Sequence, residues 1–259
     1  IIQENTSEHF GGGLMIFSAT ASLTDVTVTG NNCYRNDSYG GGMIINNSEA
    51  TLANVTVTDN TASSGGGIFI LDTDAILINL TVSRNTATFF GGGLFVGANT
   101  NPILTNSIIW GNDPTQIQGL GTPTITYSDI QGGWDGEGNI DTNPLFTDPD
   151  NGDYTLQSNS PCIDAGTADL NGDDIQDITD YTGLGPDMGA FEYGNTTSVN
   201  DPDELPKKYA LHQNYPNPFN PVTTLQYALP EDALVNIAIY DMMGRHVKTL
   251  INRSQTAGY

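Results

Sequence analysis

Four glycine triplets recur in the first part of the chain, and each stands directly before a short apolar stretch. They begin at Gly11, Gly40, Gly65 and Gly91 and read GGGLMIF, GGGMIIN, GGGIFIL and GGGLFVG. Glycine loses more conformational entropy on folding than any other residue, so three in a row are costly unless the backbone must bend sharply or approach a neighbouring segment closely. The triplets therefore indicate a fold that turns the same tight corner once in every copy of a repeat.

A strand-like segment that ends in asparagine follows each triplet. The segments read LTDVTVTGN, LANVTVTDN, LINLTVSRN and LTNSIIWGN, and they end at Asn31, Asn60, Asn85 and Asn112. The intervals between these asparagines are 29, 25 and 27 residues, and a degenerate fifth copy, ITYSDIQGG, follows at 125–133 without a triplet. A period of about 25 residues with two or three short strands and no helical segment predicts a parallel β-helix.

Alternation within one copy indicates which side chains fill the coil. In LANVTVTDN, the period-two pattern places Leu52, Val55 and Val57 inward. The same pattern places Thr56 and Thr58 outward. In a β-helix, equivalent positions of successive coils stack roughly 4.8 Å apart. Glycine would then serve one stacked corner, and asparagine, which tolerates the left-handed region and can bond to its own kind, would serve the other.

Two other folds use parts of this pattern. The string LxxVxVxxN at 52–60 also matches a leucine-rich repeat, and glycine-rich loops cradle phosphate in nucleotide-binding proteins. A leucine-rich repeat needs leucines and helix formers in the half of the repeat that holds the triplet and a second strand in this chain. The triplets are followed by neither Lys-Ser/Thr nor a helical pattern, which disfavours a phosphate loop. The β-helix is therefore the favoured interpretation.

Charge separates the chain into two regions. The chain has 259 residues with 30 acidic and 7 basic side chains, and five of the basic ones lie in residues 205–259. Nucleic acids and anionic membranes require a basic face, so this balance argues against both as partners. No stretch approaches the roughly 18 apolar residues that a membrane span needs. The two cysteines, Cys33 and Cys162, are predicted to be small buried side chains and not a disulfide framework or a zinc site.

Residues 143–193 differ in character from the repeat. They contain the strings NPLFTDP, GDYTLQSNSPCIDAG and DMGAFEYG. Together with the repeats, these strings resemble bacterial secreted right-handed β-helix proteins of the pectate-lyase-like superfamily. The resemblance implies an all-β fold in which residues 1–142 form a right-handed parallel β-helix and residues 143–193 form a C-terminal cap segment that closes the open end of the solenoid. A cap is also expected on physical grounds, because an unpaired end strand invites aggregation.

A polar linker at 194–204 leads to a second recognisable segment. The strings QNYPNPFNP and YALPEDALVNIAIYDMMGRHVKTL resemble the C-terminal sorting domain (type A) of the bacterial type IX secretion system. The resemblance spans 205–259 and implies an incomplete immunoglobulin-like β-sandwich, contact with the type IX secretion machinery, and a final location outside the cell or on its outer surface. The family's module continues further, and the first residues look like the middle of a repeat, so we expect the chain to be truncated at both ends.

The residues of this segment also predict strands by themselves. LVNIAIYD alternates, with Val235, Ile237 and Ile239 on one face, MMGRH indicates a hairpin-like turn, and HVKTL begins the next strand. The proline-rich string YPNPFNP predicts an extended loop. Its rings, Tyr215 and Phe219, are expected to pack on the sandwich, with a separate binding role as the alternative.

The acidic string DLNGDDIQDITD in the cap segment predicts a calcium loop. Its candidate ligands, at loop positions 1, 3, 5, 9 and 12, are Asp169, Asn171, Asp173, Asp177 and Asp180. That spacing directs oxygens towards one ion, and the string resembles the dockerin-type loop DxNGDG, with departures at Asp174 and Gln176. Hard oxygen ligands suit an acidic extracellular protein, so calcium is the one cofactor that the sequence indicates. A solvated acidic turn is the alternative.

Catalysis in the coil finds little support. A lyase that acts on uronic acids needs cations or calcium, and the coil and cap contain only Arg35 and Arg84 as permanent cations. Glycoside hydrolysis needs two carboxylates about 5–10 Å apart. Asp72 and Asp74, predicted to share one strand face about 7 Å apart, are the best pair visible. We therefore assign no catalytic residue.

Outward aromatic residues could stack on sugar rings, but such residues more often cover the core. Phe89, Phe90 and Trp110 lie near predicted corners, and Trp134 lies in the loop GGWDGEG. The polar coil surface and the lack of a basic or paired-acid cluster favour the first hypothesis, a non-catalytic binding, adhesion or structural module with polysaccharide as a candidate ligand. The alternative is a polysaccharide-degrading lyase or glycoside hydrolase with its site in coils that precede residue 1. That alternative rests on fold analogy.

Overall fold

The chain divides into two compact units, Ile1–Asn195 and Thr196–Tyr259. The structure is a computed structural model, and it describes residues 1–173, 175–194, 209–211, 227–231, 233–240 and 245–255. The predicted proline-rich loop with Tyr215 and Phe219 lies outside the described residues. Within them, the chain forms strands and a single 3-10 turn at Pro149–Asn151, so the predicted all-β class is confirmed.

The first unit contains twenty short strands. The first ten are β1 (Ile2–Gln3), β2 (Thr6–Ser7), β3 (Leu14–Phe17), β4 (Thr20–Thr24), β5 (Thr27–Thr29), β6 (Asn32–Cys33), β7 (Met43–Asn46), β8 (Glu49–Thr58), β9 (Thr61–Ser64) and β10 (Ile68–Leu71). The next ten are β11 (Ile76–Ser83), β12 (Thr86–Phe90), β13 (Leu94–Val96), β14 (Ile103–Thr105), β15 (Ile108–Trp110), β16 (Ile117–Gly119), β17 (Thr124–Thr126), β18 (Asp129–Ile130), β19 (Phe146–Asp148) and β20 (Asp153–Leu156).

Eighteen of these strands form three parallel sheets. The first sheet contains β1, β4, β5, β8, β11, β14, β15, β17 and β18, the second contains β3, β7, β10, β13 and β16, and the third contains β2, β6, β9 and β12. From β3 to β12 the chain passes repeatedly from the second sheet to the first and then to the third. The later coils, from β13 onwards, have strands in the second and first sheets and none in the third. This is a right-handed parallel β-helix of about five turns, which confirms the parallel β-helix that the repeat predicts and the right-handedness that the resemblance implies.

Equivalent repeat positions stack in register along the solenoid. Val57 pairs with Val28 of the preceding coil and with Val82 of the next. Leu52, Val55 and Val57 are fully buried in the core, which confirms the inward positions that alternation predicts. The second sheet faces them with its own inward side chains, which include Met43, Ile45, Ile68, Ile70, Leu94 and Val96. The core is therefore a narrow apolar column built from the same positions in every coil.

The glycine triplets form the corner between the third and second sheets. The first glycine of each triplet has a positive φ, between +54° and +70°. A Cβ on the second glycine of the third copy, Gly66, would lie 2.4 Å from the carbonyl oxygen of Thr86 in the next coil. A Cβ on Gly67 would lie 3.0 Å from the amide carbon of Asn85. All three positions therefore exclude a side chain, the first through backbone conformation and the others through close contact.

Buried asparagines form a ladder at the corner between the first and third sheets. Asn60 Nδ2 donates to Asn85 Oδ1 at 2.9 Å, and Asn85 Nδ2 donates to Asn112 Oδ1 at 2.9 Å. The backbone N–H of Asn60 also donates to Asn85 Oδ1, at 3.0 Å. The ladder satisfies polar groups that would otherwise be costly to bury. The predicted asparagine ladder is present, and the third glycine of each triplet makes room for the amide. The predicted left-handed conformation of these asparagines is wrong, because the residue before each of them, such as Asp59 or Arg84, has the positive φ.

Residues 143–193 lie against the outer face of the first sheet. Ile108 and Trp110 point outward from β15 and pack with Phe146 and Tyr154 of this segment. The backbone N–H of Ala190 donates to the outward hydroxyl of Thr81 at 2.9 Å. The resemblance implies closure of the open end, whereas these contacts are on the side of the solenoid. The segment packs on this side because the outward side chains of β15, Ile108 and Trp110, are apolar, and their burial away from water is favourable.

The described part of the second unit contains four strands. They are β21 (Ala210–Leu211), β22 (Tyr227–Ala228), β23 (Ala233–Tyr240) and β24 (His246–Gln255). β23 and β24 pair antiparallel, so the strand over LVNIAIY and the strand that begins at HVKTL are both present. Val235 and Ile237 are half-buried, whereas Ile239, which follows a register shift in the pairing, is exposed.

Candidate functional site

A line of aromatic rings crosses four coils on the outside of the solenoid. This line, called the aromatic ridge below, consists of Phe10, Tyr39, Phe69, Phe95, Phe90 and Phe89. Centroids of neighbouring rings are 4.7 to 6.4 Å apart. Phe69 and Phe95 are stacked nearly parallel, with 4.7 Å between centroids and 6° between ring planes. The ridge is therefore one continuous aromatic surface and not a set of isolated side chains.

The tight glycine corner brings two columns of side chains together to form the ridge. Phe10, Tyr39 and Phe90 each come directly before a triplet. Phe69 and Phe95 come four residues after the first glycine of a triplet, and they pair in register between β10 and β13. Because strand side chains alternate, that position points outward between two inward core residues. The bend at the triplet then brings the two columns into contact.

The rings at both ends of the ridge are exposed to solvent, whereas the ring of Phe69 in its middle is buried. Phe10 is 48% exposed and Phe90 is 49% exposed, whereas Phe69 is 6% exposed because neighbouring rings cover it. Met15, which shares the outward column of Phe69, is also exposed and extends the apolar surface. Exposed aromatic and apolar side chains that lie close together, as at the two ends of the ridge, are typical of a binding surface.

Sequence reasoning identified Phe89 and Phe90 and missed the other four rings of the ridge. A signal was present. An aromatic residue stands directly before the triplet in three of the four copies, and a large apolar residue stands four positions after the first glycine in all four. Reading these two positions as adjacent columns requires knowing that the corner between them is sharp, which the triplets themselves indicate.

A groove of about 320 Å³ between the coil and the cap segment contains one of the two coil arginines. Arg84 Nε donates to Asp59 Oδ1 at 2.9 Å, and Arg84 Nη1 donates to Asp150 Oδ1 of the cap segment. The Tyr154 hydroxyl donates to Asp59 Oδ2 at 3.2 Å. The hydrogen bond to Asp59, and to a smaller extent the one to Asp150, raise the pKa of Arg84 above its already high value. This cluster joins the cap segment to the coil, and Trp110 lines the same groove.

The other coil arginine is also ion-paired. Arg35 Nη2 lies 3.4 Å from Glu8 Oε2. The histidine of the coil, His9, has its Nδ1 3.4 Å from Asp37 Oδ1. Residues 1–204 contain no further Lys, Arg or His. Within the described residues of the first unit, an anionic sugar would therefore meet no unpaired basic side chain.

Asp72 and Asp74 do not lie on one strand, so the predicted arrangement of this carboxylate pair is wrong. β10 ends at Leu71, and Asp72 adopts a left-handed conformation with φ +52°. Asp74 Oδ1 accepts a hydrogen bond from the backbone N–H of Asn101 at 2.6 Å. The chain turns at Asp72 because aspartate tolerates the left-handed region, and the turn removes the strand alternation on which the prediction depended.

Both cysteines are buried and unpaired, as predicted. Burial raises the pKa of the Cys33 and Cys162 thiols. Cys162 Sγ donates to Asp129 Oδ2 at 3.3 Å, and the backbone N–H of Thr142 donates to Asp129 Oδ1 at 3.2 Å. Asp129 is fully buried, and this burial raises its pKa to about 6. These groups join the cap segment to the last coil.

The oxygens of the predicted calcium loop contact the loop's own backbone. Asp169 Oδ1 accepts hydrogen bonds from the N–H groups of residues 171–173, and Asp177 Oδ2 accepts one from Leu170. In the described part of the chain, which leaves out Asp174, no three acidic, histidine or cysteine side chains converge in a way that could hold a metal ion. Calcium binding by this loop stays a prediction.

The two tryptophans occupy different surroundings. Trp110 is half-buried against the cap segment. Trp134 is 37% exposed and borders an open cavity of about 720 Å³, which is called the Trp134 pocket below. Asp135, Asn139 and Asp141 line the same cavity.

The stacked coils define a parallel β-solenoid with an extended outer surface. The chain belongs to the right-handed β-helix family, whose model, described as a right-handed β-helix region, matches residues 1–130. A second model, described as a secretion system C-terminal sorting domain, matches residues 213–258. Searches of curated proteins and of solved structures returned no match.

The sorting domain defines the route and the destination of the protein. It implies interaction with the type IX secretion machinery and export to the extracellular space or the cell surface. Among the described residues, no helix has the length and apolar character needed to cross a membrane.

Proposed function

We propose that this chain is a non-catalytic binding module of the cell surface or extracellular space, and that its aromatic ridge holds a neutral polysaccharide. The observation that carries the proposal is the ridge itself, six rings across four coils with both ends half-exposed. Sugar rings present flat apolar faces, and aromatic side chains supply large contact area with little loss of conformational freedom.

The direction of the ridge supports an extended ligand. Four of its rings come from successive repeats and follow one another along the solenoid axis: Phe10, Tyr39, Phe69 and Phe95. Phe90 and Phe89, at the same triplet as Phe95, extend this line across the corner. A polymer laid along that axis could contact several rings at once, and many weak contacts on one rigid surface add up without a large ordering cost. A short soluble sugar would contact only one or two of them.

Charge supports a neutral ligand over an acidic one. Residues 1–204 contain 27 acidic and 2 basic side chains. Both arginines are ion-paired in the structure. A polyuronate would be repelled by the negative field and would meet no free guanidinium to bind its carboxylates.

Retention on insoluble polysaccharide tests the proposal. The full chain is mixed with particles of neutral glycans such as cellulose and chitin, and the fraction left in solution is measured. A triple variant, Phe10→Ala with Phe89→Ala and Phe90→Ala, removes the exposed rings, and we expect its affinity to fall about tenfold or more. The matched control is Ile76→Ala with Ile103→Ala, which removes exposed apolar side chains that pair on the first sheet.

Two results would contradict the ridge as the binding surface. One is equal retention of the ridge variant and the unmodified chain. The other is an equal loss in the isoleucine control, which would show that binding follows general hydrophobicity. Tighter binding to a polyuronate than to a neutral glycan would contradict the proposed ligand class.

A further inference from the structure

We propose that the Trp134 pocket is a second binding site and that it recognises the protonated amino group of an amino sugar. This goes beyond the ridge, because it concerns a different surface and a different ligand chemistry. The pocket is concave and lies in the loop after β18. It combines an exposed indole with two acidic side chains, Asp135 and Asp141.

Polar groups in the pocket are available to a ligand. No hydrogen bond to a described residue engages the Trp134 indole N–H or the Asp135 carboxylate. Asp141, which also lines the pocket, accepts a hydrogen bond at Oδ1 from the backbone N–H of Gly132 at 3.0 Å, and no hydrogen bond to a described residue engages its Oδ2. An indole face attracts cations, and a carboxylate forms charge-assisted hydrogen bonds with an ammonium group.

Asn139 holds the loop that carries the indole. Its Oδ1 accepts from the backbone N–H of Ser128 at 3.0 Å, and its Nδ2 donates to the carbonyl oxygens of Ile125 at 2.9 Å and Trp134 at 3.2 Å. The half-buried Asn139 amide thus joins the loop to the last coil. A loop that is held in place before the ligand arrives loses less entropy on binding.

The chemistry of the pocket selects the ligand class. Carboxylates without a basic side chain among the lining residues favour a cation and disfavour acidic sugars. A lysine side chain also carries an ammonium group, but it has no flat face to lie against the indole. An amino sugar has an ammonium group, a flat apolar face and hydroxyl donors for the carboxylates. A cavity of about 720 Å³ is also wide enough for a sugar unit.

Tryptophan fluorescence gives a direct test, because the chain has two tryptophans. In the full chain with Trp110→Phe, the remaining indole is Trp134, and a thermal melt checks that this variant folds. The probe is a glucosamine oligomer, below neutral pH so that its amines are protonated. N-acetylglucosamine oligomers of equal length and lysine oligomers are titrated in parallel. If Trp110→Phe does not fold, calorimetry on the unmodified chain replaces fluorescence.

We expect the glucosamine oligomer to change Trp134 emission and to bind about tenfold more tightly than its acetylated counterpart. Asp135→Asn should weaken that binding about tenfold, while Asp72→Asn, which removes the same charge at an exposed turn elsewhere, should change it by about twofold at most. The proposal would be overturned if the acetylated oligomer bound as tightly as the glucosamine oligomer, or if lysine oligomers bound more tightly than it. It would also be overturned if Asp135→Asn and Asp72→Asn weakened binding equally. None of these results affects the ridge, which the retention assay tests separately.

Discussion

Single residues shape the coil through the backbone conformations that they tolerate. Fourteen non-glycine residues in the described part of the chain have positive φ, and nine of them are asparagine or aspartate. Some stack from coil to coil, as where Asn54 Nδ2 donates to Asp25 Oδ1 and Asn79 Nδ2 donates to Asn54 Oδ1, both at 3.0 Å. The short polar side chain lowers the cost of the left-handed bend, and the bond to the next coil offsets what remains.

Gly66 offers a test of the glycine corner. Gly66→Ala adds a Cβ that would lie 2.4 Å from the Thr86 carbonyl oxygen and 2.7 Å from that of Gly92. We expect the free energy of unfolding to fall by about 1–3 kcal/mol, the usual cost of overpacking. Gly185→Ala is the control, because the nearest atom to its Cβ would be at 3.6 Å. Chemical denaturation measures both, and an equal effect would show that close packing does not explain the triplets.

Asp129 predicts a pH dependence of stability. Its pKa of about 6 in the folded protein exceeds the unfolded value of about 3.9, so the folded state holds the proton more tightly. The resulting stability is present below about pH 4 and is lost as pH rises through about 6. An asparagine cannot deprotonate, so Asp129→Asn does not lose this stability as pH rises. Between pH 4 and pH 7, the free energy of unfolding of the unmodified protein should therefore fall by roughly 2 kcal/mol relative to that of the variant. If the difference in unfolding free energy between the unmodified protein and Asp129→Asn stayed constant from pH 4 to pH 7, this prediction would be wrong.

At the scale of elements, the sequence predicts the structural features that recur in every coil and does not predict those that occur once. The two corners and the inward positions follow from glycine, asparagine and alternation, since each coil meets the same constraint. The turn at Asp72 was missed because strand alternation ends there without a proline or glycine to mark it. The side placement of the cap segment was missed because it depends on contacts such as Ile108 with Phe146, which are remote in sequence. The ridge likewise depends on contacts between coils.

The acidic loop of the cap segment belongs to this scale as well. If it binds calcium, a chelator should lower the melting temperature of the full chain, because a ligand that binds only the folded state stabilises it. Asp169→Asn with Asp173→Asn should abolish the effect of the chelator, whereas Asp72→Asn should preserve it. Magnesium added in place of calcium serves as the ion control. An unchanged melting temperature on chelation would support the solvated acidic turn.

At the scale of the whole molecule, the chain combines a rigid acidic solenoid with an export signal. The solenoid displays two surfaces of different chemistry, the apolar ridge and the acidic Trp134 pocket. The sorting domain delivers these surfaces to the outside of the cell. Stacked coils suit this task, because each coil contacts only its neighbours and the outer face can vary while the core positions stay the same.

The most direct test of this account measures binding and cleavage in one tube. The full chain is incubated with a panel of neutral and acidic polysaccharides, with calcium present, and both the protein left in solution and the reducing ends released are followed. The account predicts that protein is depleted by at least one neutral polysaccharide and that no reducing ends appear. Release of reducing ends from any member of the panel, by a preparation free of other enzymes, would contradict it and favour the polysaccharide-degrading alternative.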